Sequence, residues 1–165
     1  MKIVSFRNDV LPLKDKLFRL ALRITLNRED AEDIVQETLI SVWREMQQDV
    51  AIDNVEALAM TICRNRSIDL SERKEQQNIS FDEQLHDTID STPSPYEQMV
   101  GDERIRQLHE QLNSLPEKQR TAIQLRDIEG RSYREISEVM QISESDVKVN
   151  IFRARKKLKE LLSSK

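Results

Sequence analysis

The last eighteen residues hold the densest chemistry of the chain. From Lys148 to Lys165 there are seven bases (Lys148, Arg153, Arg155, Lys156, Lys157, Lys159 and Lys165) against one acid, Glu160. Cations at that density suit the phosphates and base edges of a nucleic acid. Two other segments carry the opposite sign. Glu29 to Glu56 holds nine acids and one base, Arg44, and residues 78–103 hold seven acids with neither Lys nor Arg. The formal net charge of −4 argues against nucleic-acid binding when taken alone. Its segregation by segment points instead to different partners for different parts of the chain. Catalytic and metal chemistry are poorly served. His86 and His109 stand 23 residues apart, without metal-ligand spacing to the single cysteine, Cys63. Both histidines are expected at the surface, and Cys63 as a packing thiol. There is no phosphate-binding glycine loop, nucleophile elbow or zinc motif. No catalytic residue, metal site or cofactor is expected, and the chain does not read as an enzyme.

The elements that must position these groups are helical. The chain has 165 residues with 2 Gly, 4 Pro, 34% charged and 4% aromatic residues, which disfavours a β-sandwich or a glycine-rich nucleotide-binding fold. The longest apolar run, Ala57 to Met60, is far short of the roughly 20 residues that span a bilayer. The N-terminus lacks a secretory apolar core, and a lone thiol suits a reducing compartment. These features lead us to expect a soluble, intracellular protein of all-α class, with two small helical domains joined by an acidic linker, the second containing a helix-turn-helix.

The first domain is expected over residues 10–77. Leu13, Leu17, Leu20, Ala21 and Ile24 recur at helical spacing, and Asn27 is placed to cap a second helix with acids in its first turn. In that second helix Ala31, Ile34, Val35, Thr38, Leu39, Val42, Trp43 and Met46 form the core stripe. A third helix is expected to bury Val55, Leu58, Ala59 and Ile62 and to run on to Arg73 and Lys74. Asp69, seven residues after Ile62, is expected on the core side as a carboxylate paired with a nearby Arg. Residues 78–95 lose this periodicity and end in Ser91-Thr92-Pro93-Ser94-Pro95, which reads as an extended acidic linker.

The second domain is expected over residues 96–162. Tyr96, Met99, Ile105, Leu108 and Leu112 suggest a helix stopping before Pro116. Pro116 suits the first turn of another helix capped by Ser114, which Gly130 ends. Ser132-Tyr133-Arg134-Glu135 is a capping box, and Ser143 with Asp146 resembles one. Between and after them, a short helix with Ile136, Val139 and Met140 precedes a long one with Val147, Ile151, Ala154, Leu158 and Leu161 facing inward. This is a helix-turn-helix with a basic second helix. Its outer face presents Ser145, Lys148, Val149, Phe152, Arg153 and Lys156. Ser145, Lys148, Val149 and Arg153 are placed to meet base edges in the major groove, and Arg155, Lys156, Lys157 and Lys159 to hold phosphates.

On the second helix the face opposite the core carries Asp33, Gln36, Glu37, Ile40 and Arg44. An isoleucine flanked by acids could anchor a basic helical partner. Two functions remain open on these features. One is a stand-alone helix-turn-helix transcriptional regulator with an N-terminal interaction domain; the other, implied by the resemblance that follows, is a promoter-specificity subunit of RNA polymerase that uses both domains.

The segment Asp30-Ala31-Glu32-Asp33-Ile34-Val35-Gln36-Glu37-Thr38-Leu39-Ile40-Ser41-Val42-Trp43-Arg44, followed by Ile62-Cys63-Arg64-Asn65-Arg66-Ser67-Ile68-Asp69, resembles region 2 of bacterial sigma factors. Leu115-Pro116-Glu117-Lys118-Gln119-Arg120, then Ser132-Tyr133-Arg134-Glu135-Ile136 and Arg153-Ala154-Arg155-Lys156-Lys157-Leu158, resembles region 4. With these two regions and a short linker, the chain is similar to the extracytoplasmic-function (ECF) subfamily over about Leu13–Lys74 and Glu97–Leu162. The resemblance implies that Asp33, Gln36, Glu37 and Ile40 grip the clamp of the RNA polymerase core. It implies that Asn65, with Arg66, Arg73 and Lys74, meets the minus-ten element, where one base is captured unstacked. It gives Ser145, Lys148, Val149, Phe152, Arg153 and Lys156 the minus-thirty-five element as duplex. The acidic linker would thread toward the basic RNA path of the core, and an anti-sigma factor is the further partner implied. Two positions depart from the family pattern. Glu72 stands where a base is usual, and Leu58 where tryptophan is frequent.

Overall fold

A computed structural model describes residues 4–48, 52–77 and 103–163, and all regular structure in them is helical. The expected linker, His86, Tyr96 and Met99 lie outside the described residues. A short entry comes first. A π-type turn over Phe6–Val10 is capped by the Ser5 hydroxyl, and a 3-10 turn follows over Leu11–Leu13. Together they drive Val10 into the interior.

Three helices then form the first unit: α1 (Lys14–Thr25), α2 (Arg28–Met46) and α3 (Val55–Gln77). The break between α1 and α2 is tight because Leu26 adopts a left-handed conformation, φ 58°, closing α1. Asn27 then caps α2, its side chain accepting from the Asp30 N–H at 3.0 Å. Leu17, Leu20, Ala21 and Ile24 from α1 meet Ala31, Ile34, Val35, Thr38 and Val42 from α2, all buried. Trp43 departs from the expected core stripe and is 47% exposed. At 100° per residue it falls a third of a turn away from Val42, on the flank beside Gln36. There it packs edge-on against Phe6, ring centroids 5.3 Å apart.

α3 corrects the expected register. Ala59, Met60, Cys63, Arg64 and Ser67 are buried, whereas Val55, Leu58 and Ile62 are only half-buried. The reason is that α3 is covered on two sides, by α1 and α2 and by the second unit, so no single apolar stripe describes it. Cys63 donates to the Leu17 carbonyl at 3.4 Å, and burial pushes its thiol up to about 12. That is a packing thiol. Asp69 pairs with Arg73 at 3.2 Å as expected, but on the exposed side of α3 rather than toward the core.

The second unit comprises α4 (Glu103–Asn113), α5 (Glu117–Ile123), α6 (Tyr133–Met140) and α7 (Glu144–Ser163). Pro116 itself is the N-cap of α5, and Ser114 donates to the Gln111 carbonyl at 2.7 Å instead of capping. A π-type turn, Gln124–Ile128, extends α5 until Gly130, at φ +72°, turns the chain. One buried apolar cluster contains residues of both units: Leu17, Leu20, Met60 and Cys63 belong to it, as do Leu125, Ile136, Met140 and Ile151. A smaller cluster of Leu112, Leu115, Ile123, Ala154 and Leu158 closes the far side of the second unit.

Leu17 has no exposed surface and sits where α1 meets that shared cluster. Leu17→Ala is expected to cost about 2–5 kcal/mol in urea unfolding, as cavity-forming core substitutions do. A loss below about 1 kcal/mol would show that the site collapses freely or is not packed as described.

Candidate nucleic-acid and polymerase interfaces

The helix-turn-helix is built by two caps. The Ser132 hydroxyl accepts from the Glu135 N–H at 3.1 Å and the Glu135 carboxylate accepts from the Ser132 N–H at 3.1 Å, a complete capping box. Those backbone and side-chain bonds hold the Glu135 carboxyl below its usual range. α6 ends on Gln141 in a left-handed conformation, φ 57°. Ser143 then accepts from the Asp146 N–H at 3.0 Å and opens α7. Val147, Ile151, Ala154 and Leu158 are buried, and Leu161 is half-buried.

Ser145, Lys148, Val149, Phe152, Arg153 and Lys156 are therefore all exposed along one side of α7. Phe152 is 67% exposed, a large ring left to water beside Arg153. Lys148 lies over the Tyr133 ring at 5.4 Å and Arg126 over the same ring at 4.3 Å, so Tyr133 carries two cations beside the turn. Among the described residues Arg153 and Lys156 form no ion pair. Arg155 behaves differently from its expected phosphate role. It donates twice to Asp127, at 3.1 and 2.6 Å, which ties α7 to the turn after α5 and raises the affinity of Arg155 for its proton.

On α2 the polar stripe is solvent-facing: Asp33, Gln36, Glu37 and Ile40 are exposed, Ile40 by 50%. Trp43 lengthens it into a longer apolar-and-acidic strip, which the sequence pattern concealed by placing Trp43 in the core. Asn65 is exposed on α3. Arg66 reaches across to α2, donating to Glu37 at 3.3 Å and to the Ser41 hydroxyl at 2.7 Å. Lys74 is paired with Asp30 and Arg73 with Asp69. Three of the four expected minus-ten residues thus have their charge met by acids of α2 and α3.

Residues 10–77 match the family described as Sigma-70 region 2, and residues 105–158 match Sigma-70, region 4. The RNA polymerase sigma-H factor of Pseudomonas aeruginosa is 30% identical over 162 residues, covering 93% of this chain and 83% of that protein. The chain belongs to the sigma-70 family. Its ECF character follows from relatives such as the ECF RNA polymerase sigma factor SigE of Mycolicibacterium smegmatis, 33% identical over 150 residues. That match takes in 90% of this chain and 58% of the longer SigE. The sigma factor RpoE of Bartonella quintana, solved in complex with the anti-sigma factor NepR, superposes with a TM-score of 0.72 at 25% identity, covering 96% of each chain. With region 2 occupying the first block, a stand-alone regulator with an unrelated interaction domain no longer describes this sigma-family chain.

Between region 2 and region 4 runs a polar seam that the sequence did not announce. Arg23 of α1, 8% exposed, donates to Gln124 Oε1 at 2.8 Å and to Asn113 Oδ1 at 2.8 Å, and lies 2.9 Å from His109 Nδ1. A guanidinium only donates, so Nδ1 is the acceptor there. His109 is accordingly an interface residue, half-buried, and not the free surface histidine expected. Arg120 donates to the carbonyls of Arg23 and Ile24 at 2.6 and 2.9 Å, and burial lowers its pKa from the arginine norm. Arg19 binds Glu129 through two bonds of 2.9 Å. Arg64 donates to the Met140 carbonyl at 3.1 Å and to Glu117 at 3.2 Å, and Arg131 pairs with Glu56.

Because the folded state holds the Glu135 carboxyl down, its stabilising effect is present above the ordinary glutamate pKa near 4.5 and is lost as pH falls through the lower folded value. Glu135→Gln is expected to shrink the acid-side loss of stability followed by circular dichroism between about pH 5 and pH 3. An unchanged acid limb in the variant would separate the capping box from acid sensitivity.

Proposed function

We propose that the chain is a promoter-specificity subunit that binds the RNA polymerase core and directs initiation at promoters with two elements. The observation that carries this reading is the family match of both units, in chain order, together with the exposure of the faces each would use. Residues 10–77 and 96–162 serve as the two working units, with 78–95 as the acidic connector.

Asp33, Gln36, Glu37 and Ile40 grip the core polymerase clamp, with Ile40 and Trp43 supplying apolar anchors inside an acidic rim. Such a rim steers a basic partner and fixes register, while the apolar centre supplies affinity. Asn65, Arg66, Arg73 and Lys74 meet the minus-ten element. Flipping a base out costs a few kcal/mol of stacking, so this step belongs to the polymerase-bound state. The pairing of Arg66 and Lys74 with acids supports that order, since a free region 2 offers little net cation to DNA. Ser145, Lys148, Val149, Phe152, Arg153 and Lys156 read the minus-thirty-five duplex from the major groove, with Lys156 on phosphate. The place of action is the bacterial cytoplasm; among the described residues no helix is long and apolar enough to cross a membrane. An anti-sigma factor is the expected antagonist, as NepR is for the Bartonella protein.

Purified chain mixed with sigma-free core from its host is expected to co-elute as one complex. The double reversal Asp33→Lys with Glu37→Lys is expected to weaken that complex about ten-fold or more, as truncating or reversing interfacial charge does. Equal co-elution of the reversed variant would move the polymerase contact off α2.

A further inference from the structure

Trp43 is the single tryptophan of the chain and stands 47% exposed on α2. Seven residues beyond Gln36 and three beyond Ile40, it shares their stripe, because seven helical steps return to within about 20° of the start. Ile40 is half-exposed, so two large apolar side chains face water as neighbours on one stripe with Asp33 and Glu37. A half-exposed indole on a helix is ordinarily free to change rotamer. This one is restrained. The Phe6 ring packs on it with centroids 5.3 Å apart and planes at 84°, the edge-to-face geometry that aromatic pairs favour. Phe6 is itself half-buried against the apolar core. Its turn is closed by local bonds. The Ser5 hydroxyl accepts from the Asn8 N–H at 3.3 Å, and the Asp9 carboxylate accepts from the Ser5 N–H at 2.7 Å. The Asp9 N–H donates in return to the Ser5 carbonyl at 2.7 Å. Val10, with no exposed surface, anchors the end of the turn, which packs on both α2 and α3.

We propose that Phe6 is a positioning residue for polymerase docking. It holds the Trp43 indole in the orientation that a basic helical partner meets, which makes the N-terminal turn a working part of the polymerase-binding face. The inference rests on the role of α2 proposed above. Its physical basis is preorganisation. A loose indole must be ordered when the partner lands on it, which costs about three- to ten-fold in affinity per immobilised side chain. Phe6 settles that ordering during folding, because its own place is fixed by the core and by the turn. Asp33 and Glu37 steer the partner, and a large aromatic anchor within such a rim is the kind of residue that carries binding energy. A ring needed only to seal the core would be covered by core residues. Phe6 instead divides its contacts between the core cluster and an indole half in water.

Because Trp43 is the only tryptophan, fluorescence excited at the red edge, where tyrosine is silent, reads this one side chain in the full protein. Its anisotropy decay is expected to show a restricted indole in wild type and an added fast component in Phe6→Ala. The same variant is expected to bind sigma-free core about three- to ten-fold more weakly. Phe6→Tyr, which keeps the ring, is expected to restore both the restricted indole and the affinity. Leu17→Ala serves as the stability control. At a temperature where it is still folded, it is expected to leave indole motion and core affinity as in wild type. Phe6→Ala added to Trp43→Ala is expected to cost nothing further, since Phe6 acts through the indole. An indole no looser in Phe6→Ala, or unchanged core affinity despite a loosened indole, would overturn the proposal. So would a loss that persists undiminished in the Trp43→Ala background, or an equal loss in Leu17→Ala, either of which would make the role of Phe6 purely structural. Wild type that binds no core at all, with its indole restricted as described, would instead bring down the sigma reading and this inference with it.

Discussion

Arg23 is a charged side chain taken almost wholly out of water, and the relation between the two halves of the chain follows from how that charge is met. Its partners come from α4 and the turn after α5, more than eighty residues away. Its own carbonyl, with that of Ile24, in turn accepts from Arg120. The C-terminal end of α1, negative by its helix dipole, thus receives a cation from region 4 while sending one back. A buried charge abandoned by its partners is costly, so this reciprocal arrangement forms as a whole or not at all.

The same logic of sign runs along the molecule. Region 2 directs acids outward along α2 and pairs its scattered bases with acids, Arg66 with Glu37 and Lys74 with Asp30. Region 4 directs bases outward along α7, of which Arg153 and Lys156 form no ion pair among the described residues while Arg155 pairs with Asp127. One unit is therefore suited to a basic protein and the other to DNA, and neither reading follows from the net charge of −4. On the function proposed above, docking on polymerase through Glu37 would release Arg66 from its acid partner.

Local features were legible in the sequence because local physics makes them. The Asn27 cap, the Ser132–Glu135 box and the inward series Val147, Ile151, Ala154 and Leu158 all stand where their spacing put them. Trp43 was misjudged because hydrophobicity was taken for burial, when its angle on α2 set it beside Gln36. α3 was misread because a helix covered on two sides has no single stripe to reveal its register. The seam was illegible for a deeper reason. Each of its bonds joins residues about fifty to a hundred and ten positions apart, and arginines that look like surface charge in a pattern are sequestered only by the tertiary fold. The helix-turn-helix pattern put Arg153 toward DNA, but the polymerase role of Asp33, the minus-ten role of Asn65 and the identity of the duplex as a minus-thirty-five element are implied by resemblance alone, since no spacing of charges names a polymerase or a promoter.

The central claim, that this chain makes polymerase choose promoters, is tested most directly by mapping transcription starts on host genomic DNA with sigma-free core and the purified chain as the sole specificity subunit. The account predicts a discrete set of starts, each preceded by two shared sequence elements separated by about 25 base pairs, and none with core alone. Starts no different from those of core alone, despite a chain that is folded and bound to DNA, would contradict it.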